Sequence, residues 1–177
     1  DTSNNFEIAT TGGKNVTFWN WSEYNIEGYV GKATKGDLGF FSGNFTQSIF
    51  LPETGDVISV TDGGYAISWG TQFSKVLLGD NNEATTRTAS KVVKLVECGI
   101  SLITVVNGYI AIGCSSGSVR FYDFSLRLEA WFDDFAAGPI ASLSFCVQVC
   151  PYPEGEGGAP GLQFWVPDFM VGTTDAF

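Results

Sequence analysis

The stretch Ile110-Ala-Ile-Gly-Cys-Ser-Ser-Gly-Ser-Val-Arg-Phe-Tyr122 decides the fold. It reads as two β-prone runs joined by a small, glycine-bearing turn, the pattern of a tight hairpin. The same pattern occurs twice upstream, as Ile58-Ser-Val-Thr-Asp-Gly-Gly-Tyr-Ala-Ile-Ser-Trp69 and Ile8-Ala-Thr-Thr-Gly-Gly-Lys-Asn-Val-Thr-Phe-Trp19. Each copy ends in an aromatic residue, and a repeat with a period near 50 residues is the signature of a radially or linearly stacked β architecture. Gly64 and Gly117 precede that aromatic by the same interval, where a tight turn needs a positive φ. The first copy has Lys14 at this place, behind Gly12 and Gly13, so an irregular turn is expected there.

Working outward, each hairpin extends. Phe45–Leu51 followed by Pro52-Glu-Thr-Gly55 reads as a strand and a turn. Ile100–Val106 with the turn Asn107-Gly108 reads likewise, and so does Ile140–Phe145. Lys91–Val96 and Leu126–Phe132 read as outer strands, and a fourth copy begins at Phe169-Met170-Val171-Gly172. In the third copy Val119 and Phe121 alternate with Tyr122, and in the first Val16 and Phe18 alternate with Trp19. Apolar residues on both faces require both faces to be covered, which suits sheets stacked in series better than a sandwich with one wet face.

The expected fold is therefore all-β: an incomplete, WD-repeat-type β-propeller with about three blades of four antiparallel strands. Its expected parts are a blade part over 6–30, blades over 45–96 and 100–135, and a partial blade over 138–177 with an inserted loop over 146–164. That loop holds Pro151, Pro153, Pro160 and a run of glycines; a second loop is read over 31–43. The chain reads as opening and closing inside repeats, so open sheet faces are expected to show aromatic surface.

Composition narrows the function. The formal net charge is −10, which repels a phosphate backbone and argues against nucleic acid. No apolar run is long enough to suggest a transmembrane helix, and no secretory signal is read. With no histidine, a Ser-His-Asp triad is impossible and a zinc site would need Cys98, Cys114, Cys146 and Cys150 to converge. Reduced, packed cysteines in an intracellular setting are expected instead, and the sequons at Asn15, Asn20 and Asn44 are read as chance occurrences. The carboxylate pairs Asp133/Asp134 and Glu154/Glu156 read as solvated charge rather than an acid–base pair. Asp62-Gly63-Gly64 fits a hairpin turn, not a phosphate cradle. No catalytic residue, cofactor, metal or small-molecule substrate is expected. The one candidate interface cluster is Trp131, Phe132 and Phe135, aromatics with flanking charge of the kind found at binding hot spots.

The repeat resembles the WD family, with Trp19-Asn20, Trp69-Gly70 and Tyr122-Asp123 at the place of Trp-Asp, but without the family's Gly-His pair. A closer resemblance lies in the series Phe18-Trp-Asn-Trp21, Phe45-Thr-Gln-Ser-Ile-Phe50, Phe121-Tyr-Asp-Phe-Ser-Leu126, Gly138-Pro-Ile-Ala-Ser-Leu-Ser-Phe145 and Pro167-Asp-Phe-Met-Val-Gly-Thr-Thr-Asp175. It is similar to WD-repeat cilia- and flagella-associated proteins of the calmodulin- and spoke-associated complex. That resemblance implies a scaffold at the base of an axonemal radial spoke, with spoke and complex subunits as partners. It carries no calcium claim, since no calcium-binding loop is read. The alternative is a WD-repeat adaptor in another cytosolic or nuclear complex.

Overall fold

The computed structural model of the chain describes residues 6–33, 41–74, 84–133, 135, 138–146 and 166–174. Among these residues there is no helix, and every strand pairing is antiparallel. The first sheet joins β1 (Phe6–Gly12), β2 (Asn15–Trp21) and β3 (Ile26–Val30) in that order. The second joins β4 (Phe45–Phe50), β5 (Val57–Thr61), β6 (Tyr65–Ser74) and β7 (Ala84–Lys94). The third joins β8 (Ile100–Val106), β9 (Tyr109–Cys114), β10 (Val119–Tyr122) and β11 (Leu128–Phe132). The fourth pairs β12 (Ile140–Phe145) with β13 (Phe169–Thr173). The described strands form an open series of four sheets rather than a closed ring.

The turns follow the residues that make them. Gly64 and Gly117 sit at φ 83° and 85°, and the Asn107-Gly108 turn has both residues at positive φ, 47° and 81°. The β1–β2 turn departs from the irregular one expected. Gly12 pairs with Asn15 and the ladder runs without a shift to Phe6 and Trp21. Gly13, at φ 54°, supplies the positive φ one residue earlier than Gly64 does, so two residues suffice. The long β6–β7 hairpin also exceeds the sequence reading, since the outer strand begins at Ala84 rather than Lys91. Residues 84–90 hold no large apolar side chain and carry no apolar alternation to announce a strand.

The core lies between the sheets. Val16, Phe18, Val57, Ile67 and Trp69 fill the seam between the first and second sheets. Ile58, Val60, Ile103, Ile110, Ile112 and Tyr122 fill the next. Phe121, Val119 and Ile140 fill the third, against Phe132, Phe145 and Phe169. Strand β5 is buried along its whole length, because each face meets a different neighbour. Val119 and Phe121 do lie in the third seam and Tyr122 in the second, as the alternation requires.

Contacts between sheets concentrate on their leading strands, β1 with β4, β4 with β8, and β8 with β12. A repeated device makes these joints. The register shifts at the second residue of β4, β8 and β12, leaving Thr46, Ser101 and Ala141 bulged. Thr46 Oγ1 then donates to Ile100 O at 2.9 Å and Ser101 Oγ to Ile140 O at 2.5 Å. Each hydroxyl thus reaches the first carbonyl of the next sheet.

Two glycines separate backbone freedom from space. A Cβ on Gly108 would meet nothing within 4 Å, whereas one on Gly64 would run into the carbonyl oxygens of Val96 and Cys98. Both have positive φ. Gly108→Ala is expected to cost about 1 kcal/mol and Gly64→Ala about 3 kcal/mol, read as shifts in a urea unfolding midpoint. Equal costs would show that the chain beyond β7 yields at Gly64.

Candidate protein-binding surface

The three aromatic residues picked from the sequence do not form one cluster. Trp131 and Phe132 are adjacent on β11 and therefore face opposite sides of the third sheet. Phe132 packs into the third seam, 5.5 Å from the Phe169 ring and 6.1 Å from Phe121. Phe135 stacks on Phe132 at 6.2 Å and meets Phe169 edge-on at 6.0 Å. These two line a shallow, mainly apolar depression with Val166, Pro167, Asp168 and Phe169. Trp131 is exposed on the other face, opposite Arg120, whose guanidinium lies 3.7 Å from Asp133. Asp134, Glu154, Glu156, Cys150 and almost all of the loop read over 146–164 lie outside the described residues.

A larger apolar surface lies on the first sheet, and sequence reasoning did not single it out. In the β1–β2–β3 register, Phe6 pairs with Trp21 and Trp21 with Ile26; Ile8 pairs with Trp19; and Thr17 pairs with Val30. Paired residues share a face, so these side chains all lie opposite Val16 and Phe18. Phe6, Trp21 and Ile26 are 61%, 51% and 55% exposed. Soluble proteins rarely leave so contiguous an apolar surface bare. The signal was present in the alternation of Trp19 and Trp21 with Phe18. The open face of the fourth sheet differs: Ser142, Ser144 and Gly172 lie there beside Met170.

A partly buried ion pair fixes the first sheet against the second. Arg87 on β7 donates through Nε to Glu7 Oε1 at 3.0 Å and through Nη2 to Glu7 Oε2 at 2.5 Å. Its guanidinium also reaches Gly55 O at 2.9 Å and Trp69 O at 3.4 Å. Tyr29 Oη donates to the same carboxylate at 3.2 Å. Burial works against the charge on Arg87, but the Glu7 carboxylate outweighs it and holds the group above its ordinary range. Burial, then Glu7, raises the Tyr29 hydroxyl too, so it stays a donor. Beyond this pair, Lys32 takes and gives backbone hydrogen bonds at Ala89 N and Arg87 O, running the chain along the outer edge of β7.

Nothing among the described residues resembles a reaction centre. Cys98 and Cys114 lie beside each other, and burial pushes the Cys114 thiol up to about 11. Cys146 is exposed just past the end of β12. Among the described residues no three His, Cys, Asp or Glu side chains meet in a metal-holding group.

Arg87→Ala removes the side chain that ties Glu7 of the first sheet to Gly55 and Trp69 of the second, and leaves Glu7 partly buried with Tyr29 as its donor. Arg87→Ala is expected to destabilise the fold by about 3 kcal/mol in urea unfolding. Glu7→Ala should cost less, about 1 to 2 kcal/mol, since Arg87 keeps two carbonyl partners. A neutral Arg87→Ala would contradict this account of the seam.

Comparison with known proteins gives the chain a family. The profile of the CFAP251 N-terminal domain matches residues 1–177. Cilia- and flagella-associated protein 251 of Chlamydomonas reinhardtii is 32% identical over 177 residues, covering 98% of this chain and 22% of that protein. The protein of the same name from Tetrahymena thermophila is 30% identical over 203 residues, covering 99% and 19%. That of Mus musculus is 28% identical over 141 residues, covering 76% and 11%. The chain thus spans about a fifth of the length of the first two relatives. The chain therefore belongs to the CFAP251 N-terminal domain family, a family of cilia- and flagella-associated proteins.

Proposed function

We propose that residues 1–177 are part of a WD-type β-propeller that serves as a non-catalytic, protein-binding scaffold of the ciliary or flagellar axoneme. In this reading it sits at the base of a radial spoke and links the spoke to neighbouring complexes on the doublet microtubule. Its partners are subunits of the radial spoke and of the calmodulin- and spoke-associated complex, and the linkage supports ciliary beating.

One observation supports the scaffold reading: the apolar face of β1–β3, a contiguous exposed surface of the kind that protein partners cover. The propeller reading draws on the repeated sheets, joined through their leading strands by the same bulged residue. The axonemal address draws on the family.

The test is to tag the protein in a ciliated cell and extract membranes and soluble matrix with detergent. Most of the signal is expected to remain on the axoneme and to co-purify with radial-spoke subunits. A diffuse cytosolic or nuclear signal indifferent to ciliation, with other complexes co-purifying, would favour the adaptor reading instead.

A further inference from the structure

Two thiols meet at the joint between the second and third sheets. Cys98 lies in the connection between β7 and β8, and Cys114 is the last residue of β9. That connection is held from both sides. Leu95 N and Val96 N donate to Gly64 O, in the β5–β6 turn of the second sheet. On the third sheet, Gly99 N donates to Ser115 Oγ at 3.1 Å and Ser115 N donates back to Gly99 O at 2.8 Å. Ile100 then pairs with Cys114 as the first rung of the β8–β9 ladder. Cys98 is thereby fixed beside the β9–β10 turn, its sulfur 3.4 Å from Ser116 Oγ, and its thiol is hydrogen-bonded to that of Cys114.

The pair is asymmetric. Cys98 is partly exposed, whereas Cys114 is fully buried in the apolar cluster of the second seam. A solute therefore reaches the Cys98 sulfur first. A cation stands on the same side of the sheet. Arg120 pairs with Ile112, two residues before Cys114 on β9, so Arg120 and Cys114 share a face. The Arg120 charge favours the Cys114 thiolate against the burial that opposes it. Arg120 Nε is itself buried with no hydrogen-bond partner among the described residues.

We infer that Cys98 and Cys114 form a redox-responsive dithiol: a hydroperoxide oxidises Cys98, and Cys114 then closes a reversible disulfide to it. In the first step the Cys98 sulfur attacks a hydroperoxide oxygen. The S–O bond forms, the O–O bond breaks, and the departing oxygen leaves with the thiol proton, so that Cys98 is a sulfenic acid. In the second step the Cys114 sulfur attacks the Cys98 sulfur. The S–S bond forms, the S–O bond breaks, and hydroxide leaves as water with the Cys114 proton. The hydroperoxide gains the electron pair that the two thiols lose, and a dithiol reductant reverses the change by exchange. The disulfide ties to β9 a connection that hydrogen bonds alone hold in the reduced chain, and so stiffens the joint between the two sheets. The inference stands on this joint, apart from the scaffold and axonemal readings.

Exposure of the fully reduced, full-length protein to hydrogen peroxide tests it. Trypsin releases both cysteines in one peptide, Leu95–Arg120, since no Lys or Arg lies between Lys94 and Arg120. After alkylation of free thiols, the unalkylated peptide, lighter by two hydrogens than its reduced form, is expected at a yield about 10-fold above the untreated protein. Dithiothreitol should return both cysteines to alkylation. In Cys98→Ser, Cys114 should be oxidised about 10-fold more slowly than Cys98 is in the unaltered protein. Oxidation of the exposed Cys146 while both cysteines of the peptide stay alkylated would overturn the inference. So would Cys98 driven on to sulfinic acid beside an alkylated Cys114. Oxidation of Cys114 in Cys98→Ser as fast as that of Cys98 in the unaltered protein would overturn the order of the two steps.

Discussion

The structure depends on how Trp69 is buried. An indole is the largest side chain a seam can take, and it carries one donor that must not be orphaned. Ser59 on the neighbouring strand accepts that donor at 2.9 Å. Ser59 is itself 2.6 Å from Ser48 Oγ, which is 2.6 Å from Thr11 Oγ1 on the first sheet. A chain of hydroxyls therefore crosses the seam and satisfies its polar groups, while Phe18 meets the indole edge-on at 5.8 Å and Phe45 closes its other side at 6.0 Å. Arg87 shuts the seam from the outer edge, with its guanidinium 5.9 Å from the Phe18 ring and held by Glu7. Apolar burial supplies the attraction, and the polar set makes one relative placement of the two sheets better than its neighbours.

The same logic extends along the series. The second and third sheets present their repeat aromatics, Trp69 and Tyr122, to the sheet before, and the first three sheets present a β-branched or phenyl surface to the sheet after. The bulged hydroxyls of Thr46 and Ser101 fix the spacing at the leading strands. A chain built this way has no isolated core; every seam is half owned by the neighbouring repeat. The face of the first sheet away from the Trp69 seam carries exposed Phe6, Trp21 and Ile26.

Much of this was legible in the residues. The glycine-bearing turns, the Asn107-Gly108 turn and the opposed faces of Phe121 and Tyr122 follow from turn chemistry and the period of a strand. The β1–β2 turn was misjudged because Gly13 does one residue earlier what Gly64 does, so Ile8 matches Val57 in register and not Ile58. The bulges and the Glu7–Arg87 pair were invisible because each depends on a partner from a distant repeat. Period two already required Trp131 and Phe132 to part, yet their adjacency in sequence made them look like one cluster. Aromatic surface on open sheet faces is expected from the repeat, but the residues that form it on the first sheet are not singled out, because the same alternation marks covered aromatics.

The central claim is that the Trp69 seam, rather than any single sheet, holds the series together. A double-mutant cycle with Phe18→Leu and Trp69→Leu, followed by urea unfolding, addresses it most directly. The account predicts a coupling of about 1 kcal/mol between the two positions, which lie on different sheets. Costs that add to within about 0.3 kcal/mol would contradict it, leaving the sheets stable apart and the seam incidental.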